Sequence, residues 1–189
     1  MVFHRYFFAL QPDDPASDEI DRVSERLMRE RPWLGAPMAR RRRHVSLTSI
    51  GRDEAPMDDW AGRAVRAVVQ IRRPAFDVAF NRLAGFAGGG DLRALVLRGD
   101  EGVAGVDHLQ ATIQAALADA GLAPRRSRPF EAHLTLARGR DASDETFIRP
   151  IRWTVREFVL IHSYVGQGRH EIAGRFPLVA RGDDSPLTA

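Results

Sequence analysis

The sequence predicts an α+β protein made of two similar halves. Three observations carry this. Short runs with apolar residues at every second position recur along the chain, as half-buried strands require. Longer stretches place apolar residues at three- and four-residue spacing, as amphipathic helices do. A four-residue pattern occurs twice, His44-Val45-Ser46-Leu47 and His133-Leu134-Thr135-Leu136, nearly half the chain apart.

The elements follow in order. Residues 2–10 are rich in aromatic and apolar side chains and stop before Pro12, the pattern of a strand. Ile20, Val23, Leu27 and Met28 share one face of a helix over 15–31, with Asp18, Glu19 and Asp21 near its start and Pro32 at its end. Residues 32–37 are turn-like, and 40–43 are four consecutive arginines. A strand over 44–50 is closed by Gly51, and a helix is predicted over 58–69. Phe76, Val78 and Phe80 alternate over 75–80, the glycine-rich 85–90 turns the chain, and 92–97 returns, so a hairpin is expected. Residues 106–120 form another helix, stopped at Gly121. A loop with Pro124 and Pro129 leads to a strand over 133–137, and strands over 153–162 and 171–178 complete the order. Strand–helix–strand units recur with no sharp linker between them. Residues 1–181 are therefore expected to form one bilobal domain, with 182–189 a frayed polar tail.

At 189 residues, 44% hydrophobic and 28% charged, the chain can bury a core without disulfides or a structural metal. It has no cysteine, which excludes thiolate catalysis and cysteine-ligated zinc and fits a reducing cytoplasm. No run approaches the roughly 18 apolar residues of a membrane span, so no membrane association is expected. The opening residues, with His4 and Arg5 and no small-residue cleavage site, read as a strand and not as a signal peptide. Net charge is only +3, yet every basic residue is arginine. Arginine codons are favoured in GC-rich genomes, and base composition is the plainer reading of that bias. Guanidinium groups nevertheless fork onto phosphate oxygens, so the surface attracts phosphate whatever the origin of its arginines.

The repeated pattern carries the chemistry. Side chains alternate faces along a strand, so His44 and Ser46 point one way, as do His133 and Thr135. Val45, Leu47, Leu134 and Leu136 then point into the opposite, buried layer. Two such strands facing each other would surround a central space with two imidazoles and two hydroxyls. A neutral imidazole can take a proton from an attacking water while an imidazolium protonates the departing oxygen. The hydroxyls can donate to phosphoryl oxygens as charge shifts onto them. One such triplet means little; two matched copies in predicted strands mean much more.

On these residues the chain resembles the two-histidine phosphoesterases, and among them the RNA 2′,3′-cyclic phosphodiesterases, also called 2′-5′ RNA ligases. Arg5-Tyr6-Phe7-Phe8-Ala9-Leu10 is similar to that family's first strand. Arg128-Pro129-Phe130, leading into His133 through Arg138, is similar to its second motif. Glu157 through Leu160, Ser163, Gly168-Arg169 and Phe176-Pro177-Leu178 fit its closing run. The resemblance implies two pseudo-symmetric antiparallel-sheet lobes with helices outside and a central cleft. It implies hydrolysis of RNA or nucleotide 2′,3′-cyclic phosphate ends to 2′-phosphate with no metal or other cofactor, and 2′-5′ ligation in reverse. It makes His44 and His133 the catalytic pair, with His133 as base and His44 as acid. Ser46 and Thr135 become phosphate-binding hydroxyls and Arg138 a substrate contact. Ser46 stands where threonine is usual, and His170 where tyrosine is usual.

Other residues are less constrained. Arg138 lies five positions after His133, so strict alternation puts it on the wrong face unless the strand twists or ends. The arginine run 40–43 is read either as a solvated charge run or as a hold on an RNA backbone. Phe7 is read as a core residue before a base-stacking one. His108 is expected on a helix surface, and His4, His162 and His170 in structural or peripheral roles. The protein is read as a monomer. Two other functions fit the residues: action on another small cyclic or 2′-5′ nucleotide, and RNA binding with little catalysis. A metal hydrolase fits poorly, since neither an H-x-x-x-H pair nor an aspartate-rich motif is present.

Overall fold

The computed structural model describes residues 2–31, 35–86, 93–122, 129–139 and 145–180. Part of the expected glycine turn (87–90), part of the turn at 32–37, Pro124, Arg128 and the tail from Gly182 lie outside these. The elements are β1 (Phe3–Leu10), α1 (Asp14–Glu30), β2 (Val45–Asp53), α2 (Asp58–Val68), β3 (Phe76–Phe86), β4 (Arg93–Arg98), α3 (Ala104–Asp119), β5 (His133–Gly139), β6 (Thr146–Val155), β7 (Glu157–Val165) and β8 (Arg169–Pro177). Short 3₁₀ turns at Arg40–Arg42 and Glu101–Val103 precede β2 and α3.

The strands form one antiparallel sheet in the order β6-β3-β4-β5-β2-β1-β7-β8. It divides into two four-stranded halves. Within each half the strands pair along most of their length, but β5 and β2 meet at the single bridge Val45–Leu134. Each half contains a strand–helix–strand unit, β1-α1-β2 or β4-α3-β5, whose two strands are neighbours. The expected bilobal α+β architecture is thus present, with the pseudo-symmetry centred on that bridge. The segment after β8 also reaches back to the other half. Val179 bonds the backbone of Arg73 and Ala75, and Leu178 bonds Arg156.

One face of the sheet is dry. Tyr6, Phe8, Leu10, Val45, Leu47, Leu95, Leu97, Leu134 and Leu136 pack with Ile20 and Leu27 of α1, Ala64 and Val68 of α2, and Leu109, Ile113 and Leu117 of α3. The alternation read from the two motifs places Val45, Leu47, Leu134 and Leu136 correctly in this layer. The first helix begins at Asp13, whose carboxylate accepts the Ala16 amide at 3.0 Å, with Pro15 in the first turn. The opposite face carries two small apolar clusters in corresponding places, Phe7-Ala9-Val159-Ile161 and Ala84-Ala94-Val96.

Four strands differ from expectation. Gly51 does not close β2, which continues to Asp53, and β3 runs past residue 80 to Phe86, into the start of the expected glycine turn. The predicted strand over 153–162 is two strands, separated at Arg156, where the chain leaves one half for the other. The apolar phase changes there, from Trp153 and Val155 to Phe158 and Leu160, because each half must bury its own side. Residues 146–152, not predicted as strand, extend β6. Pro150 and the charged residues around it obscure the pattern, and β6 tolerates proline because it is an edge strand.

Val45 and Leu134 are fully buried where the halves join. Leu134→Ala should therefore destabilise the protein by about 2–5 kcal/mol, measured by urea denaturation, as large-to-small core changes do. A loss below the cost of an ordinary surface change would show that the junction is not a packed core.

Candidate active site

A cleft of about 450 Å³ opens on the face away from the helices, and His44, Ser46, His133, Thr135 and Arg138 all line it. Strand register explains the first four. Val45–Leu134 is the register point between the two strands, and antiparallel geometry on either side of it sets His44 toward Thr135 and Ser46 toward His133. Each imidazole is thus set against the other motif's hydroxyl.

Both rings are anchored the same way. His44 Nδ1 lies 2.7 Å from the Arg42 carbonyl oxygen, and His133 Nδ1 lies 2.8 Å from that of Glu131. A carbonyl only accepts, so Nδ1 carries the proton in each case, and the basic lone pair of the neutral ring is on Nε2. The same contact to the residue two positions upstream, made twice, fixes tautomer and ring orientation together.

Burial pushes His44 well below its ordinary range, to about 4, against the opposing effect of the Arg42 carbonyl, with His170, Arg5 and His133 adding repulsion. His133 is lowered too, mainly by burial and then by Arg98. Near neutral pH both imidazoles are therefore neutral until an anion binds. A bound anion would favour the protonated form of either.

Arg138 reaches the cleft because β5 does not alternate strictly. Thr135 is opposite Val96 and Ala137 opposite Leu95, so Leu136 is an extra residue, a β-bulge. The bulge shifts the phase by one and turns Arg138 to the cleft side, opposite Ala94. In β2 the corresponding residue, Leu47, is bulged in the same way between Phe8–Thr48 and Ala9–Ser46.

Part of the cleft lining leaves no trace in the repeated motif. Arg5, Ser163 and His170 form one row across β1, β7 and β8, since Ser163 pairs with both of the others. His170, expected in a structural or peripheral role, instead lies in the cleft with its ring centre 5.4 Å from that of His44. It has no counterpart in the other motif, so the repeat gave no signal. Its placement follows from strand register alone. Phe7, 3% exposed, packs its ring 4.9 Å from His44; it is buried, but in the cleft floor and not in the helix-covered core. His108 is exposed on α3. His162 stacks on Tyr6 and lies 2.8 Å from His4, both in structural roles on the opposite side.

The arginine run is not a uniformly solvated patch. Arg40 pairs with Asp14, Asp18 and Asp21 of α1, and Arg43 is buried against Asp21 at 2.5 Å. These pairs hold the segment leading into His44 against the first helix. Arg42 lines the cleft.

The same fold occurs in solved structures. Escherichia coli LigT in apo form matches with TM-score 0.70 at 23% identity, over 95% of this chain and 99% of that one. TT0787 of Thermus thermophilus matches with TM-score 0.71 at 19% identity, over 94% and 99%. Kluyveromyces marxianus Usb1 is more distant, with TM-score 0.57 at 14% identity, over 93% and 98%. No curated protein sequence matches the chain. A family model described as the 2′-5′ RNA ligase superfamily matches residues 12–167, a span that includes both histidine motifs and most of the sheet. The chain belongs to the 2′-5′ RNA ligase superfamily, within the two-histidine phosphoesterases.

Proposed function

We propose that the protein hydrolyses 2′,3′-cyclic phosphate ends of RNA or nucleotides to 2′-phosphates, without a metal, using His44 and His133 as its acid–base pair. One observation carries the proposal: two imidazoles with the same carbonyl-fixed tautomer border one cleft, each across from a hydroxyl. Escherichia coli LigT has been crystallised with 3′-AMP and with phosphate. That a protein of this fold takes such ligands supports a nucleotide phosphate here.

In this reading His133 Nε2 accepts a proton from water as the water oxygen bonds to phosphorus. The bond from phosphorus to the 3′ oxygen breaks, and protonated His44 gives its Nε2 proton to that oxygen. Ser46 and Thr135 donate to the non-bridging oxygens, and Arg138 offsets their charge. The cyclic phosphate anion itself favours the charged form of His44, which burial otherwise disfavours. A carbonyl-held Nδ1–H keeps each ring aimed while its Nε2 changes protonation.

His44→Ala and His133→Ala should each lower turnover of an RNA ending in a 2′,3′-cyclic phosphate by about 100- to 10,000-fold, in the presence of a chelator and with the fold intact by circular dichroism. Wild-type rates in either variant would reject the pair. The product should be a 2′-phosphate. A 3′-phosphate would reverse which oxygen leaves.

The roles separate by leaving group. An aryl phosphodiester, whose phenolate departs without a proton, should largely restore turnover to His44→Ala and not to His133→Ala. The opposite pattern would exchange acid and base.

The low position of His44 adds a pH signature. Without an anion the ring is deprotonated above about 4. Anion binding raises His44, so binding takes up a proton between the two values. Above the ligand's own second phosphate pKa, about 6, affinity for 2′-AMP should accordingly tighten as pH falls from about 8 toward 6.5, by up to about tenfold per unit for one proton. His44→Gln should flatten that slope in titration calorimetry. An unchanged slope in the variant would remove His44 from the linkage.

A further inference from the structure

The two ends of the cleft are not equivalent, although the backbone around them nearly is. The residue two positions before each histidine supplies the anchoring carbonyl. On the His133 side that residue is Glu131, whose carboxylate pairs with Arg98. On the His44 side it is Arg42, and its guanidinium has no ion pair among the described residues, unlike Arg40 and Arg43 of the same run. Arg42 Nε is buried with no hydrogen-bond partner among the described residues, and so is Nδ1 of His170. Both residues line the cleft at this end together with Arg5. Gly168, with φ of 63°, lies beside this group: a Cβ at this position would be in ordinary van der Waals contact with the Arg42 guanidinium, at 3.5 Å.

Two buried nitrogens without partners in one place are unfavourable by about 1–3 kcal/mol each, unless a ligand completes them. A guanidinium and an imidazole beside a second arginine call for oxygens carrying negative charge. The phosphoryl group under attack sits, in the proposed reaction, between His44 and His133. His170, Arg42 and Arg5 lie on the outer side of His44, away from the bridge between the motifs. A nucleoside 2′,3′-cyclic phosphate has only one other position from which a phosphate can reach that side, its 5′ oxygen.

We infer that Arg42 and His170, with Arg5, form a second phosphate subsite that reads a phosphoryl group on the 5′ oxygen of the terminal nucleoside. The preferred substrate is then a 5′-phosphorylated nucleotide or an RNA end, and not a bare nucleoside cyclic phosphate. This deepens the proposed hydrolase reading and rests on it for the orientation of the ligand.

The test is a binding comparison, which stands apart from turnover. Calorimetry would measure 2′-AMP against adenosine 2′,5′-bisphosphate in wild type and in Arg42→Gln, His170→Phe and Arg41→Gln. Wild type should prefer the bisphosphate by about tenfold or more, the factor expected of one to two charge-assisted hydrogen bonds. Arg42→Gln and His170→Phe should each remove most of that ratio. Arg41→Gln, which loses the same charge from an exposed neighbour, should keep it. No preference in wild type would overturn the subsite, as would equal weakening of both ligands in Arg42→Gln, which would place Arg42 on the attacked phosphate. If one variant fails to fold, the other and the wild-type ratio still decide. A retained preference with no hydrolysis of any cyclic phosphate would reject the hydrolase reading and leave the subsite standing.

Discussion

The hydrogen bond from each imidazole Nδ1 to the carbonyl two residues upstream is the contact on which the cleft depends. It fixes which nitrogen is basic and where the ring points, and it uses no side chain that could titrate. The upstream backbone must then be held in turn. On one side the turn at Arg40–Arg42 is tied to α1 by Arg40 and Arg43. On the other, Glu131 is held by Arg98, which pairs in register with His133 itself. Ion pairs of partly exposed groups contribute little stability on their own. Here their effect is geometric, because they position the carbonyls that position the rings.

The sheet supplies the remaining constraint. A single bridge between β2 and β5 lets the two halves splay while keeping the motifs in register. The leucine three positions after each histidine stays in the core, yet it is an extra residue in its strand. Each motif thus presents an imidazole and a hydroxyl to the cleft before the bulge, and the second presents Arg138 after it. The near-symmetry of backbone with asymmetry of charge suits a reaction in which one imidazole gives a proton and the other takes one.

The parts of this architecture legible in the sequence were those set by strict periodicity. Alternation around the two motifs separates the cleft residues His44, Ser46, His133 and Thr135 from the core residues Val45, Leu47, Leu134 and Leu136. Helical spacing finds α1, α2 and α3 to within a few residues at each end. What periodicity hides is a change of phase. The bulge at Leu136 turns Arg138 to the cleft, and the break at Arg156 looks like one continuous strand. The shift from odd-numbered to even-numbered apolar positions at 156–157 is the trace such a break leaves. Residues brought together only by register across three strands, such as Arg5, Ser163 and His170, left no local pattern. Finding them requires knowing that β1 lies between β2 and β7.

Nitrogen-detected NMR of the histidine rings tests the central claim most directly. Near neutral pH the rings of His44 and His133 should both be neutral with the proton on Nδ1, and a bound phosphate monoester should shift both Nε2 signals in the same titration. A ring of either residue protonated on Nε2 instead, or one whose Nε2 is indifferent to the ligand, would contradict the account of two carbonyl-anchored imidazoles serving one phosphoryl group.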